Sequence, residues 1–173
     1  MGTPQKGKYH RTVEEDRFIY IIHAPHCSNF YIWHCKKDLW KASYKRHLCR
    51  QRKQTVDLVR WCTEKKYPLC FHVLEEVHLT QIMAYKHVIA WTRILELKGY
   101  DTLAGDKTLF YMSEMFEDTE AIFNQYKDAD LDQLLSFQTC LVENCPRKLP
   151  NPLSANTRED PQCQHHQKKS QST

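Results

Sequence analysis

At 173 residues, with 41% hydrophobic and 27% charged residues, the chain has the size of one domain with one sizeable core, and its composition excludes disorder throughout. No run reaches the roughly 18 apolar residues of a membrane span, and the start, MGTPQKGKYHRTVEED, is polar rather than signal-like, so an intracellular protein with no membrane partner is expected, nuclear rather than cytoplasmic. The net charge of +4 conceals two poles: residues 36–66 carry eleven basic against three acidic side chains, and residues 112–145 carry eight acidic side chains against one lysine. Such asymmetry points to a polyanion at one pole and a basic partner at the other.

Residues 1–16 show no hydrophobic period and read as a flexible basic arm. Phe18-Ile19-Tyr20-Ile21-Ile22 is a continuous apolar run rich in β-branched and aromatic residues, as in a strand buried on both faces. Turn chemistry from Ala24 to Asn29 returns the chain into Phe30-Tyr31-Ile32-Trp33, predicting an antiparallel hairpin that places Tyr20 and Tyr31 on neighbouring strands. From Asp38, a plausible N-cap, the period changes to that of a helix. Trp40, Tyr44 and Leu48 form its apolar face and Lys37, Lys41 and Lys45 a basic stripe. A second helix is predicted from Thr55 to Lys66, stopped by Pro68, and a third strand from Leu69 to Leu74, closing at Glu75-Glu76.

The next helix has the clearest borders. Thr80 can cap its start and Gly99 stands where a left-handed C-terminal residue belongs. Met83, His87, Ala90, Ile94 and Leu97 lie along one side, Ile82, Tyr85, Ile89 and Trp91 on the other, so it should be buried nearly all round. A short apolar run, Leu109 to Met112, precedes two acidic helical segments, the second opened by an Asp130/Gln133 capping box. Beyond Pro146 the composition lacks any period and predicts a disordered tail. The expected organisation is an arm (1–16), an α/β domain (17–112), an acidic helical extension (113–145) and a tail (146–173).

This order of elements, with Ile19-Tyr20 and Tyr31-Ile32 eleven positions apart, Asp38-Leu39 opening a basic helix, Phe71 to Val77 as third strand and Ala84 to Gly99 as central helix, resembles the GIY-YIG nuclease domain. The likeness covers roughly residues 17–106, and the Gly-x-x-Thr-Leu stretch at Gly99 to Leu103 is similar to the animal ankyrin-and-LEM-domain nucleases. The resemblance implies an α/β fold: a three-stranded, mainly antiparallel sheet flanked by helices, followed here by C-terminal helices. It also implies Tyr20 and Tyr31 as candidate catalytic residues. The family's glycines are replaced, with Trp33 ending the second tripeptide, and a residue is inserted between Tyr31 and Asp38.

Phosphodiester hydrolysis in this family uses a tyrosine to help activate water, an arginine to hold phosphate charge and a glutamate to bind one divalent metal. Carried over, the arginine falls near Ala42, between Lys41 and Arg46, the glutamate at His87 or Val88, and a terminal asparagine near Gly105 or Asp106. An imidazole suits Mg²⁺ poorly, so cleavage should be weak or absent unless Glu75, Glu76, His87 or Asp106 supplies the site. Mg²⁺ or Mn²⁺ is expected only if the chain is an active, structure-specific endonuclease with rearranged ligands. The first expectation is a nucleic-acid-binding domain, for DNA, that contacts phosphates through Lys37, Lys41, Lys45, Arg46, Arg50, Arg52 and Lys53. A third reading is a protein-interaction adaptor docking a basic partner on the acidic helices.

The eight cysteines lack a secretory context and should be unpaired thiols. His26-Cys27, His34-Cys35, His47, Cys49, Cys70 and His72 are zinc-ligand types, but their spacing matches no standard Cys-x₂-Cys pair, and scattered core thiols are the expectation.

Overall fold

In the computed structural model the described residues are 13–24, 27, 29–103, 118–135 and 140–142. The Leu109–Met112 run, Asp106, Cys145, Cys163, most of the N-terminal arm and the whole tail lie outside them.

Strand β1 (Glu15–His23) is buried from Arg17 onward on both faces, which accounts for its unbroken apolar run. It pairs antiparallel with β2 (Asn29–Lys36), with Tyr20 opposite Trp33 and Ile22 opposite Tyr31, as the hairpin reading requires. On its other side β1 pairs antiparallel with β3 (Cys70–Leu79), which runs past Glu75-Glu76 to Leu79. A fourth strand not foreseen from the sequence, β4 (Asp101–Leu103), adds parallel to β2 and makes the sheet mixed, in the order β3-β1-β2-β4. Three residues are too few to show a period, and its pairing is made by β2.

Helices cover both faces. On one lie α1 (Trp40–Leu48), entered through a 3₁₀ turn at Lys37–Leu39, and α2 (Val56–Lys65), entered through a 3₁₀ turn at Lys53–Thr55. Asp38 sits inside the first turn, and among the described residues no side chain caps its start or the start of α1. Tyr20, Ile22, Tyr31 and Phe71 meet Leu58, Val59, Trp61 and Cys62 there. On the opposite face α3 (Gln81–Leu97), α4 (Thr119–Tyr126) and α5 (Leu131–Leu134) cover Ile19, Ile21, Phe30 and Ile32. Thr80 accepts the Met83 N–H at 3.3 Å, and Asp130 accepts the Gln133 N–H. Trp91 is the buried centre of α3, whereas Ile82 and Leu97 are exposed, so its burial is less complete than its apolar residues suggest.

The three longer helices end alike. After α1, Arg50 donates to the His47 carbonyl and Gln51 to that of Arg46; after α2, Lys66 donates to Thr63 and Tyr67 to Cys62; after α3, Gly99 donates to Glu96 and Tyr100 to Leu95. This is the Schellman arrangement, with Arg50 (φ 57°), Lys66 (φ 57°) and Gly99 (φ 89°) in the left-handed region. Only the last is the glycine that such a position favours.

Two register effects decide which side chains meet. The β1–β3 pairing shifts between Ile19, opposite Glu75, and Tyr20, opposite Val73, leaving Leu74 as the extra residue of a β-bulge. Strict alternation would carry Glu75 to the face of Phe71 and Val73; the bulge turns it to the α3 face. In α1 the inward-facing stripe is Trp40, Tyr44 and His47, at i, i+4 and i+7, of which His47 is fully buried, and Leu48 is left exposed.

Candidate functional site

Tyr20 and Tyr31 lie on the face covered by α1 and α2, where His47 reaches between them. The Tyr20 hydroxyl is 3.3 Å from His47 Nε2, and the Tyr31 ring stands edge-on to the imidazole at 5.0 Å. His47 Nδ1 is 2.8 Å from Thr55 Oγ1, and the Thr55 hydroxyl donates to the Arg52 carbonyl. Because Thr55 donates onward, it accepts from His47 Nδ1–H, and Nε2 is left to accept from Tyr20. One directed chain therefore joins β1, α1 and the 3₁₀ turn before α2. The Tyr20 ring also stacks on Phe71 at 4.3 Å.

The electrostatics keep this chain neutral. Burial, then the cation of Arg52, lowers the His47 pKa to about 4. Burial raises the Tyr31 pKa to about 12, despite Arg52, and holds Tyr20 well above the ordinary phenol value, with Tyr31 adding to the effect. With Tyr20 1% exposed, Tyr31 2% and His47 0%, none of these groups meets a water or a phosphodiester in this conformation. The cluster fastens the helices to the sheet; as a hydrolytic centre it is closed.

The predicted metal ligands do not join the tyrosines. Glu75, turned by the bulge, accepts His87 Nδ1–H at 2.7 Å and Trp91 Nε1–H at 2.8 Å on the far side of the sheet. Burial pushes its pKa up, but hydrogen bonds from His87, Tyr126 and Trp91 outweigh that and hold it below the ordinary value. Glu76 is exposed and ion-paired with Lys37. The side chains that the nuclease resemblance would need for Mg²⁺ or Mn²⁺ are thus divided between two faces and do not fit one site beside Tyr20. Gly105 and Asp106 lie outside the described residues.

The basic segment is partly gathered. Lys41, Lys45, Arg46, Arg50 and Lys53 are exposed on α1 and the turn after it, and none has a carboxylate partner among the described residues. Arg52 is half-buried against the tyrosine face, and with Arg46 it is one of the cations acting on Tyr20; Ala42, where the resemblance puts an arginine, is exposed. Lys37 departs from the predicted stripe: it precedes α1, pairs with Glu76 and lies over the Phe18 ring. Trp33 stacks beside Tyr31 and Trp40 packs against Phe71, so both indoles lie half-buried against the core.

Of two participants that sequence reasoning missed, His47 is legible through the helical period, since i, i+4, i+7 from Trp40 selects it whereas hydrophobicity alone selects Leu48; Thr55, in the 3₁₀ turn before α2, carries no such signal. Among the thiol and imidazole residues, no disulfide forms among those described, and His34 rings against Tyr85 and Trp33 rather than in a ligand set. Cys70 and His72 do converge, with His23. Comparisons with protein-family models, curated proteins and solved structures find no match to the chain.

Proposed function

We propose that this chain is a nucleic-acid-binding domain, DNA being the expected polyanion, related to GIY-YIG-type nucleases and with weak or no cleavage. The observation that carries the reading is the segregation of cations. At the N-terminal end of β1 and on the α3 face five are neutralised within the chain: Lys36 and Arg17 by Glu15, Lys37 by Glu76, Lys86 by Asp118 and Arg93 by Glu120. Along α1 and its exit, five exposed cations stand without such partners among the described residues. Crowding like charges in one short stretch is unfavourable by itself and is offset by a polyanion that releases its counterions on binding. Arg50 adds to this, because a basic side chain holds a left-handed position that glycine would fill with less strain. The buried tyrosines and the divided carboxylates support weak or no cleavage.

Titration of a labelled branched duplex and a single strand, at several salt concentrations, tests the reading. Reversing Lys41, Lys45 and Arg46 to Glu is expected to weaken binding to both and to reduce the log–log salt slope by about two to three units. Reversing Asp128, Asp130 and Asp132 to Lys, on the opposite side of the sheet, should leave the slope of wild type. Lys37→Glu should act less than any member of the triple variant because its charge is already neutralised. No affinity at low salt would sink the reading. Nicking in Mn²⁺ that Tyr20→Phe abolishes would replace it with the endonuclease alternative.

A further inference from the structure

The C-terminal end of β1 and the start of β3 bring three metal-ligating side chains together on the α3 face. His23 stands directly opposite Cys70 in the β1–β3 register, and His72, two residues along β3, opposite Ile21 on the same face. One ring nitrogen of each histidine and the Cys70 sulfur lie within 4.8 Å of one another, and all three residues have 0% exposure. A tetrahedron built from zinc–nitrogen bonds of about 2.0 Å and zinc–sulfur bonds of about 2.3 Å has edges of roughly 3.3–3.8 Å, so a small contraction closes the set. The two imidazole rings are 5.8 Å apart and edge-on, and their attachment to adjacent hydrogen-bonded strands leaves little of the geometry to be ordered on binding.

A fourth residue of the right type neighbours the trio along β3, outside the 4.8 Å group. Cys140 forms an isolated antiparallel bridge with His72, and the Leu141 N–H donates to the Phe71 carbonyl at 2.9 Å. Residues directly opposite in an antiparallel pair project to the same face with Cβ atoms about 4.5–5.5 Å apart, so Cys140 flanks His72 on the ligand side while Leu141 packs against the other core. Sequence spacing hides the arrangement, because the ligands come from three strand segments and from no Cys-x₂-Cys pair.

We propose that His23, Cys70, His72 and Cys140 form a His₂Cys₂ site for zinc that pins the segment around Cys140 to the edge of the sheet. Two thiolates and two imidazoles in tetrahedral array suit zinc over the hard, oxygen-seeking Mg²⁺ or Ca²⁺. On binding, the thiols of Cys70 and Cys140 release their protons to solvent and the neutral imidazoles donate ring lone pairs. The closed four-ligand shell is a structural centre, without the open position that hydrolysis needs.

The test uses the full chain, purified with reductant and without chelator. Metal analysis should find one zinc per chain, and exchange with Co²⁺ should give the ligand-field absorption of tetrahedral cobalt with a thiolate-to-cobalt charge-transfer band, both reversed by added zinc. Cys140→Ser, at a half-buried position on the sheet edge, should keep the fold by circular dichroism, roughly halve the charge-transfer band and weaken zinc binding by at least about tenfold. The exposed Cys49→Ser should match wild type. Wild-type protein that takes up no zinc, or a cobalt spectrum that is octahedral and lacks the thiolate band, overturns the proposal. So does a Cys140→Ser protein whose spectrum and affinity equal those of wild type.

Discussion

Each face of the sheet buries one hydrogen-bonded polar cluster, yet the two are built on opposite electrostatic principles. Under α1 and α2, Tyr20, His47 and Thr55 form a chain of neutral groups, while Lys41, Lys45, Arg46, Arg50 and Lys53 stand exposed with no carboxylate partner among the described residues. Under α3 and α4, Glu75 is a buried acceptor held by His87 and Trp91, and the cations above it are matched by Asp118 and Glu120. Arg93 also lies over the Phe123 ring at 4.4 Å. The acidic extension, insofar as it is described, thus docks on the chain's own central helix and meets two of that helix's cations. One face pairs two of its cations within the chain; the other leaves five exposed cations without a carboxylate among the described residues.

The largest expected effect breaks the α3 face. Glu75→Ala leaves the buried His87 and Trp91 donors without their acceptor and should lower stability by about 3 kcal/mol in urea unfolding. Glu75→Gln, which keeps an acceptor oxygen, should cost clearly less. Equal losses for the two variants would show that the hydrogen bonds to the carboxylate do not hold this face.

Acid should weaken both faces before it reaches Glu75, because each buries a neutral histidine: His47 beneath α1, and His34 beside Tyr85 of α3. Burial, with Arg52 and Arg17 adding to it, keeps His47 at about 4 and His34 at about 3, against an ordinary 6.5 when unfolded. Between those values the unfolded chain binds more protons, so stability falls as pH drops from about 6.5 toward 4, by up to about 1.4 kcal/mol per pH unit for each histidine. Glu75, lowered from its ordinary 4.5, keeps its full contribution above that pH and loses it only as pH falls through its folded value. Urea midpoints at pH 7, 6 and 5 for wild type and His47→Gln should show the variant losing one histidine's share of the slope. An identical slope would mean that His47 is not held neutral.

Smaller effects sharpen the contrast. Tyr20→Phe removes the donor to His47 Nε2 and should cost about 1–2 kcal/mol, with the Phe71 stacking retained. Arg50→Gly relieves a left-handed arginine and should raise stability by somewhat under about 1 kcal/mol, while weakening binding to a labelled duplex at low salt. A variant both more stable and equally tight would take Arg50 out of the interface.

Much of the architecture is written in local pattern. The unbroken apolar run of β1, the Thr80 and Asp130 caps, the glycine after α3 and the hairpin between Tyr20 and Tyr31 each follow from one chain segment's own sterics and hydrogen-bonding needs. The basic pole is equally local, since exposure of lysine and arginine needs no tertiary information. The face on which Glu75 lies was decided elsewhere: a bulge opposite β1 inserts Leu74 and reverses the alternation that the sequence implies, and no residue of β3 announces it. The same holds for Tyr20 and His47, 27 positions apart, and for His23 beside Cys70 and His72, brought together by register between strands distant in sequence. Periodicity fixes which side of its own element a residue occupies; only the pairing of elements fixes what stands across from it, because register is set by the packing of the whole sheet between its two helical layers.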